Sequence, residues 1–154
     1  MNVAMMDNDV LVEIFDLTWK RDRKVFKKVM EYLTLRFSRI WISDVVKEEF
    51  LRYNRQKRGK LLKRHMKKYP ILKYCPIKVA EHERELFIPP LDEGEADALY
   101  QISKLHTSRE YSYIRSISFV SNDQEALKHA QNEGIQTLSY NELRTALREM
   151  GVIL

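Results

Sequence analysis

Residues Ile117–Leu138 read ISFVSNDQEALKHAQNEGIQTL. Ile117–Ser121 has the short apolar character of a buried strand, an acid follows it at Asp123, and a helical stretch, Gln124–Glu133, comes next. Gly134 punctuates, Ile135–Leu138 predicts another strand, and Tyr140–Met150 a final helix. Working outward, the same alternation recurs. Strands are expected at Asn2–Met6, Arg39–Ile42 and, most weakly, Ile77–Ala80. Helices are expected at Arg23–Arg36, Asp44–Arg55, Lys60–Lys68 and Glu93–His106. Strands alternating with helices mark an α/β protein with a mainly parallel sheet. In such sheets the functional crevice lies beyond the carboxyl ends of the strands, where loops enter helix N-termini.

Composition narrows the class. The chain has 154 residues, 44% hydrophobic and 32% charged, with four Gly and four Pro, which excludes disordered, collagen-like and disulfide-scaffold readings. No repeat or linker divides it, so residues 1–154 read as a single domain. The lone Cys75 can form neither an internal disulfide nor a thiol-rich zinc site, and suits a reducing, cytoplasmic setting. The run Val3–Met6 is too short, and lacks the preceding basic region, for a signal peptide. No stretch approaches the roughly 18 apolar residues of a membrane span.

The formal net charge is +5, and its distribution says more than its size. Arg52–Lys68, RYNRQKRGKLLKRHMKK, carries nine cations and no acid, and Trp19–Lys28 carries six more. A basic helical segment at about 52–69 therefore stands out as a phosphate-binding candidate, through Arg52, Arg55, Lys57, Arg58, Lys60, Lys63, Arg64, Lys67 and Lys68. An isolated basic run is about as often a solvated helix face. Tyr53 and Tyr69 bracket the cluster and could stack on unpaired bases, although aromatics at such positions more commonly pack. His65, His82, His106 and His129 have no metal-ligand spacing and read as structural or surface residues.

The acids carry the sharper pattern. Asp7 and Asp123 each follow a strand and arrive at one sheet edge, where either alone would most simply cap a helix. On the helix opening at Asp44, Glu49 shares the apolar stripe of Val45, Val46, Phe50 and Tyr53, whereas Glu48 points away. On the next acid-bearing helix Glu95 precedes Ala98 and Leu99 by three and four residues, while Asp97 aligns with Tyr100, Gln101 and Lys104 on what reads as the wetter side. A carboxylate on a core-facing stripe is penalised by several kcal/mol unless it meets a cation or donors. Each could instead be ion-paired or cap a helix dipole. Several converging carboxylates suit a divalent ion, and an all-oxygen donor set favours Mg²⁺ or Mn²⁺.

The strand ending in Asp7, the segment ISDVVKEEF, the helix start GEADAL and the segment FVSNDQEALKHAQNEGIQTL together resemble a PIN domain, closest to small prokaryotic members such as VapC-type toxin ribonucleases. The resemblance spans most of the chain and is strongest over Leu91–Leu147. It implies a three-layer α/β/α sandwich around a central parallel sheet of four to five strands. It also implies a Mg²⁺- or Mn²⁺-dependent endonuclease site in which Asp7, Glu49, Glu95 and Asp123 are the catalytic and metal-holding acids. Ser121 would support them. Many such toxins have Asp as the third acid, which leaves Asp97 competing with Glu95. Asn122 stands where some relatives carry another acid, which implies a weaker or single-ion site. RNA is the implied substrate, and an antitoxin protein and a second copy of the chain the implied partners, with no membrane role.

Two other readings fit parts of the sequence. VAMMDNDVL matches the strand and Asp-x-Asp opening of haloacid-dehalogenase-like phosphohydrolases, with Asp7 as nucleophile and Asp9 as acid/base. That reading gives Glu49 and Glu95 no role. In the other, the acids are structural and the protein is a non-catalytic module that binds nucleic acid or a partner.

Overall fold

The computed structural model describes residues 1–77 and 93–154. Within these residues five strands form one all-parallel sheet: β1 (Asn2–Met6), β2 (Arg39–Ile42), β3 (Leu72–Tyr74), β4 (Ser116–Ser121) and β5 (Gln136–Ser139), in the order β3-β2-β1-β4-β5. Register is continuous across the centre, with Ala4 beside Ile40 and Ser118, and Val120 beside Leu138. Because side chains alternate along a strand, each strand feeds two cores. Ala4, Met6, Ile40, Ile42, Val120 and Leu138 face one core, and Val3, Met5, Trp41, Ile117 and Phe119 the other.

The first core is covered by α1 (Asn8–Leu11), a π-helical stretch (Val12–Thr18), α3 (Arg23–Arg36), α4 (Asp44–Leu51), α5 (Arg55–Lys68) and α8 (Tyr140–Glu149). A short α2 (Trp19–Arg21) joins the π-helical stretch to α3. The second core is covered by α6 (Glu93–Thr107) and α7 (Gln124–Asn132). This is the three-layer α/β/α architecture that the PIN resemblance implies.

Two helix boundaries are corrected, and one strand and one helical run are added. The strand beside β2 is Leu72–Tyr74; of the expected Ile77–Ala80, all but Ile77 lies outside the described residues. β3 escaped notice because it is a three-residue edge strand in which only Leu72 is buried, so no apolar run announces it. The helix expected over Asp44–Arg55 stops at Leu51, and the next begins at Arg55 rather than Lys60. Asn54 divides them in the left-handed conformation (φ 55°), which asparagine tolerates, and its side chain accepts from the Lys57 N–H at 3.4 Å. The continuous helical run from Asn8 to Arg21 was not anticipated either, although Val10, Leu11, Ile14 and Phe15 are all fully buried at helical spacing.

No helix among the described residues is long and apolar enough to cross a membrane.

Candidate active site at the carboxyl edge of the sheet

β1 and β4 are neighbours, but the chain leaves them toward opposite layers: Val10 and Leu11 of α1 enter the first core, Ala126 and Leu127 of α7 the second. That divergence opens a crevice at the carboxyl ends of the two strands, the topological switch point of the sheet. Asp7 sits there, only 5% exposed. Its N–H donates to the Val120 carbonyl at 2.9 Å, extending the ladder by one residue and fixing where its side chain emerges.

The Asp7 carboxylate caps α1, Oδ1 accepting from the Asn8 N–H at 2.8 Å, while Oδ2 accepts from the hydroxyl of fully buried Ser121 at 3.0 Å. Ser121 Oγ in turn accepts from the Asp123 N–H at 3.1 Å, and Asp9 Oδ2 accepts from the Asn122 N–H at 3.0 Å. Asp123 is exposed and caps α7, Oδ1 accepting from the Glu125 and Ala126 N–H groups at 2.9 and 3.1 Å. Two helix N-termini thus aim their positive ends at one place, which favours negative charge there. Asp7, Asp9, Ser121, Asn122 and Asp123 are one hydrogen-bonded cluster.

Glu49 is half-buried on α4, whose entry from β2 is capped by Ser43, the buried Oγ accepting from the Val46 N–H at 3.1 Å. Helix α4 packs against both α1 and α6, so the helices carrying Glu49 and Glu95 meet beside the one that Asp7 caps. Glu95 is 4% exposed, on a buried stripe as expected. Asp97, expected on the wetter side, is just as enclosed at 2%. The reason is local: Gln101, one turn on, is also buried and donates from Nε2 to the Ile77 carbonyl at 2.8 Å. Chain following β3 therefore covers that side of α6, and burial does not separate Glu95 from Asp97.

These donors are all oxygen, the set a hard divalent cation takes. Among the described residues, however, no three His, Cys, Asp or Glu side chains are grouped closely enough to hold one ion. As placed, the acids do not close on a point.

Beside the cluster lies a cavity of about 340 Å³ whose wall includes Asn122, Glu13, Arg21, Tyr140 and Arg144. Burial and the Glu13 carboxylate push the Tyr140 phenol above its ordinary pKa.

The basic segment is mostly helix α5, with Arg52 at the end of α4. Arg52, Arg55, Lys57, Lys60, Lys63, Arg64, Lys67 and Lys68 are exposed. Arg58 is turned inward: its guanidinium donates to Asp16 Oδ2 at 2.9 Å and to the Phe50 carbonyl at 2.8 Å. Asp16, 4% exposed and also 3.2 Å from Lys20, is a buried ionic group that sequence reading missed. Its only early signal was an acid within an apolar helical run. Tyr69 packs against Phe26 and His65, whereas Tyr53 is 73% exposed. His65 is a core residue stacked on Phe26 at 4.4 Å, His106 is exposed, and His82 lies outside the described residues.

No known family profile and no curated protein sequence matches the chain. In three dimensions it is similar to a PilT N-terminus domain protein of the hyperthermophilic archaeon Sulfolobus solfataricus P2, at 14% identity and a TM-score of 0.49, over 94% of this chain and 92% of that one.

Proposed function

We propose that the protein is a Mg²⁺- or Mn²⁺-dependent endonuclease that hydrolyses phosphodiester bonds in single-stranded or structured RNA. The observation that carries this reading is Asp7: a carboxylate almost excluded from solvent, at the switch point, held by a buried serine and a helix N-terminus, with Glu95 and Asp97 buried on a nearby helix. Asp7, Glu49, Glu95 and Asp123, with Asp97 the alternative to Glu95, would hold the cation only by drawing closer together than they lie here. A bound metal would supply a water of lowered pKa and a countercharge for the scissile phosphate. Ser121 orients Asp7, and the Asn122 N–H, through Asp9, fixes the β4–α7 loop against α1. Among the cations of α5, the exposed ones would hold backbone phosphates without reading bases. Of Tyr53 and Tyr69, Tyr53 is the exposed one, its ring 5.7 Å from the Arg58 guanidinium, and it would be the one to stack on a base. A role as the toxin of a toxin–antitoxin pair would use the same basic face for an acidic partner protein, and a second copy of the chain would complete a dimer.

The test compares wild type with Asp7→Asn and Asp123→Asn on a labelled single-stranded RNA in Mn²⁺. Asparagine still caps a helix, so folding should persist in the second variant, and each should cleave at least about a hundredfold more slowly. Wild-type rates in both would remove the site. RNA binding without any cleavage in Mn²⁺ would instead favour the non-catalytic module. Release of phosphate from an aryl phosphate with a trapped aspartyl-phosphate at Asp7 would favour the phosphohydrolase, although Asp9, its acid/base there, is engaged by the Asn122 N–H.

A further inference from the structure

We infer a second nucleic-acid contact, remote from the acidic crevice: a cationic cleft that grips the backbone phosphates of a strand whose other part lies at Asp7. This rests on the nuclease reading for the strand's placement, but the cleft is defined by its own residues. It is a concavity of about 390 Å³ between the end of the first helical run and α5, with Lys20, Arg23, Lys57, Lys60 and Arg64 around it and Trp19 in its wall. A solvated helix face is convex and its cations spread apart. Here they converge from the first helical run, α3 and α5.

Among the described residues, the charge within the cleft is not balanced. Its one carboxylate, Asp16, is already matched by Arg58 at 2.9 Å and Lys20 at 3.2 Å. Among the described residues, Arg23, Lys57, Lys60 and Arg64 pair with no carboxylate, and all four are exposed. Nor are the guanidiniums free to drift apart. Arg23 lies 4.5 Å and Arg64 5.8 Å from the centre of the Trp19 ring, which holds arginines from two helices beside one indole. The indole is itself fixed edge-on to Phe26 at 5.4 Å and His65 at 4.9 Å. Like charges kept together raise the local positive potential, and a phosphate relieves it while releasing its own counterions.

The position fits a strand better than a small anion. Trp19 is twelve residues beyond Asp7 along a helical run that includes the π-helical stretch Val12–Thr18, so it is at most about 18 Å away at the α-helical rise. At roughly 3.4 Å per stacked nucleotide, a strand of about five or six nucleotides is long enough to reach both places.

The chain has two tryptophans, and Trp41 is buried in the second core, so a Trp41→Phe parent leaves Trp19 as the sole indole reporter. The parent is titrated with oligouridylates of two to twelve nucleotides in EDTA, where no metal-dependent cleavage occurs, reading Trp19 emission and the anisotropy of a labelled strand. Expected are a Trp19 response that begins near six nucleotides and a twelve-mer affinity at least tenfold weaker after Arg23→Glu with Arg64→Glu. The slope of log affinity against log salt should fall by about 1.4, as for two lost phosphate contacts on a single strand. Should that pair unfold by circular dichroism, Lys57→Gln with Lys60→Gln serves in its place. An unchanged affinity and salt slope in the folded variant overturns the cleft, as does twelve-mer binding that leaves Trp19 emission unmoved. So does pyrophosphate binding equal to that of the twelve-mer. Because binding is read without metal, failure to cleave RNA leaves the cleft standing, and cleavage by a protein whose cleft variants bind normally removes the cleft alone.

Discussion

Lowering the pH from about 7 to about 4.5 should weaken the fold through one residue, His65. Its ring is 1% exposed among Phe15, Trp19, Phe26 and Tyr69, and Nε2 has no hydrogen-bond partner among the described residues. Burial first, then the neighbouring Arg64 and Lys68 charges, lower its pKa from 6.5 to about 4. The folded protein thus keeps the imidazole neutral while the unfolded chain takes up a proton. The stabilisation is complete above pH 6.5 and drains away as pH falls from 6.5 toward 4. That interval, at about 1.4 kcal/mol per pH unit, sets a ceiling of about 3 kcal/mol. Ending at pH 4.5, short of the folded value of about 4, reduces the expectation to about 2 kcal/mol. Urea unfolding at both pH values, for wild type and His65→Phe, isolates it, because carboxylates that titrate in the same range contribute equally to the two proteins. Phenylalanine suits an aromatic pocket and should change stability at pH 7 by no more than about 1 kcal/mol. Wild type should lose about 2 kcal/mol more than the variant between the two pH values. Equal losses would show that His65 is not held neutral by its surroundings.

Two further changes probe how the cationic layer is built. Asp16→Asn leaves the Arg58 guanidinium, only 12% exposed, without its carboxylate, and should destabilise by about 3 kcal/mol. Adding Arg58→Met should recover most of that loss in a thermal-unfolding cycle; no recovery would mean that the pair does not act as a unit. At the α4–α5 junction Asn54→Gly should be tolerated to within a few tenths of a kcal/mol, whereas Asn54→Ala should cost about 1 kcal/mol, since φ is 55°. Equal chemical-denaturation midpoints for the two variants would argue against a left-handed residue there.

Much was legible in the linear chain. The apolar runs at Asn2–Met6, Arg39–Ile42, Ile117–Ser121 and Ile135–Leu138 correspond to four of the five observed strands, because central parallel strands are buried on both faces and leave an uninterrupted signal. Asp7 and Asp123 could be placed at one edge of the sheet because each follows a parallel strand, and the link through Ser121 is the consequence of β1 pairing with β4. Helices α3, α7 and α8 were legible for the same local reason, their periodicity.

What remained hidden depends on partners distant in sequence. Asp16 and Arg58 lie 42 positions apart, and nothing in either neighbourhood announces that one neutralises the other. His65 sits in a run of cations and reads as either structural or surface; the packing of α5 against Phe15, Trp19 and Phe26 turns its ring inward and decides for the first. Asp97 looked wet because a helix read alone has one apolar stripe, whereas α6 is covered on a second side where Gln101 meets Ile77. Strand β3 has almost no apolar signal, its place at the edge being set by pairing with β2. Local patterns thus specify the elements and the edge where acids collect. Which charges are buried, matched or left to face a ligand is decided only when the layers close, because desolvation depends on every surface that meets in three dimensions.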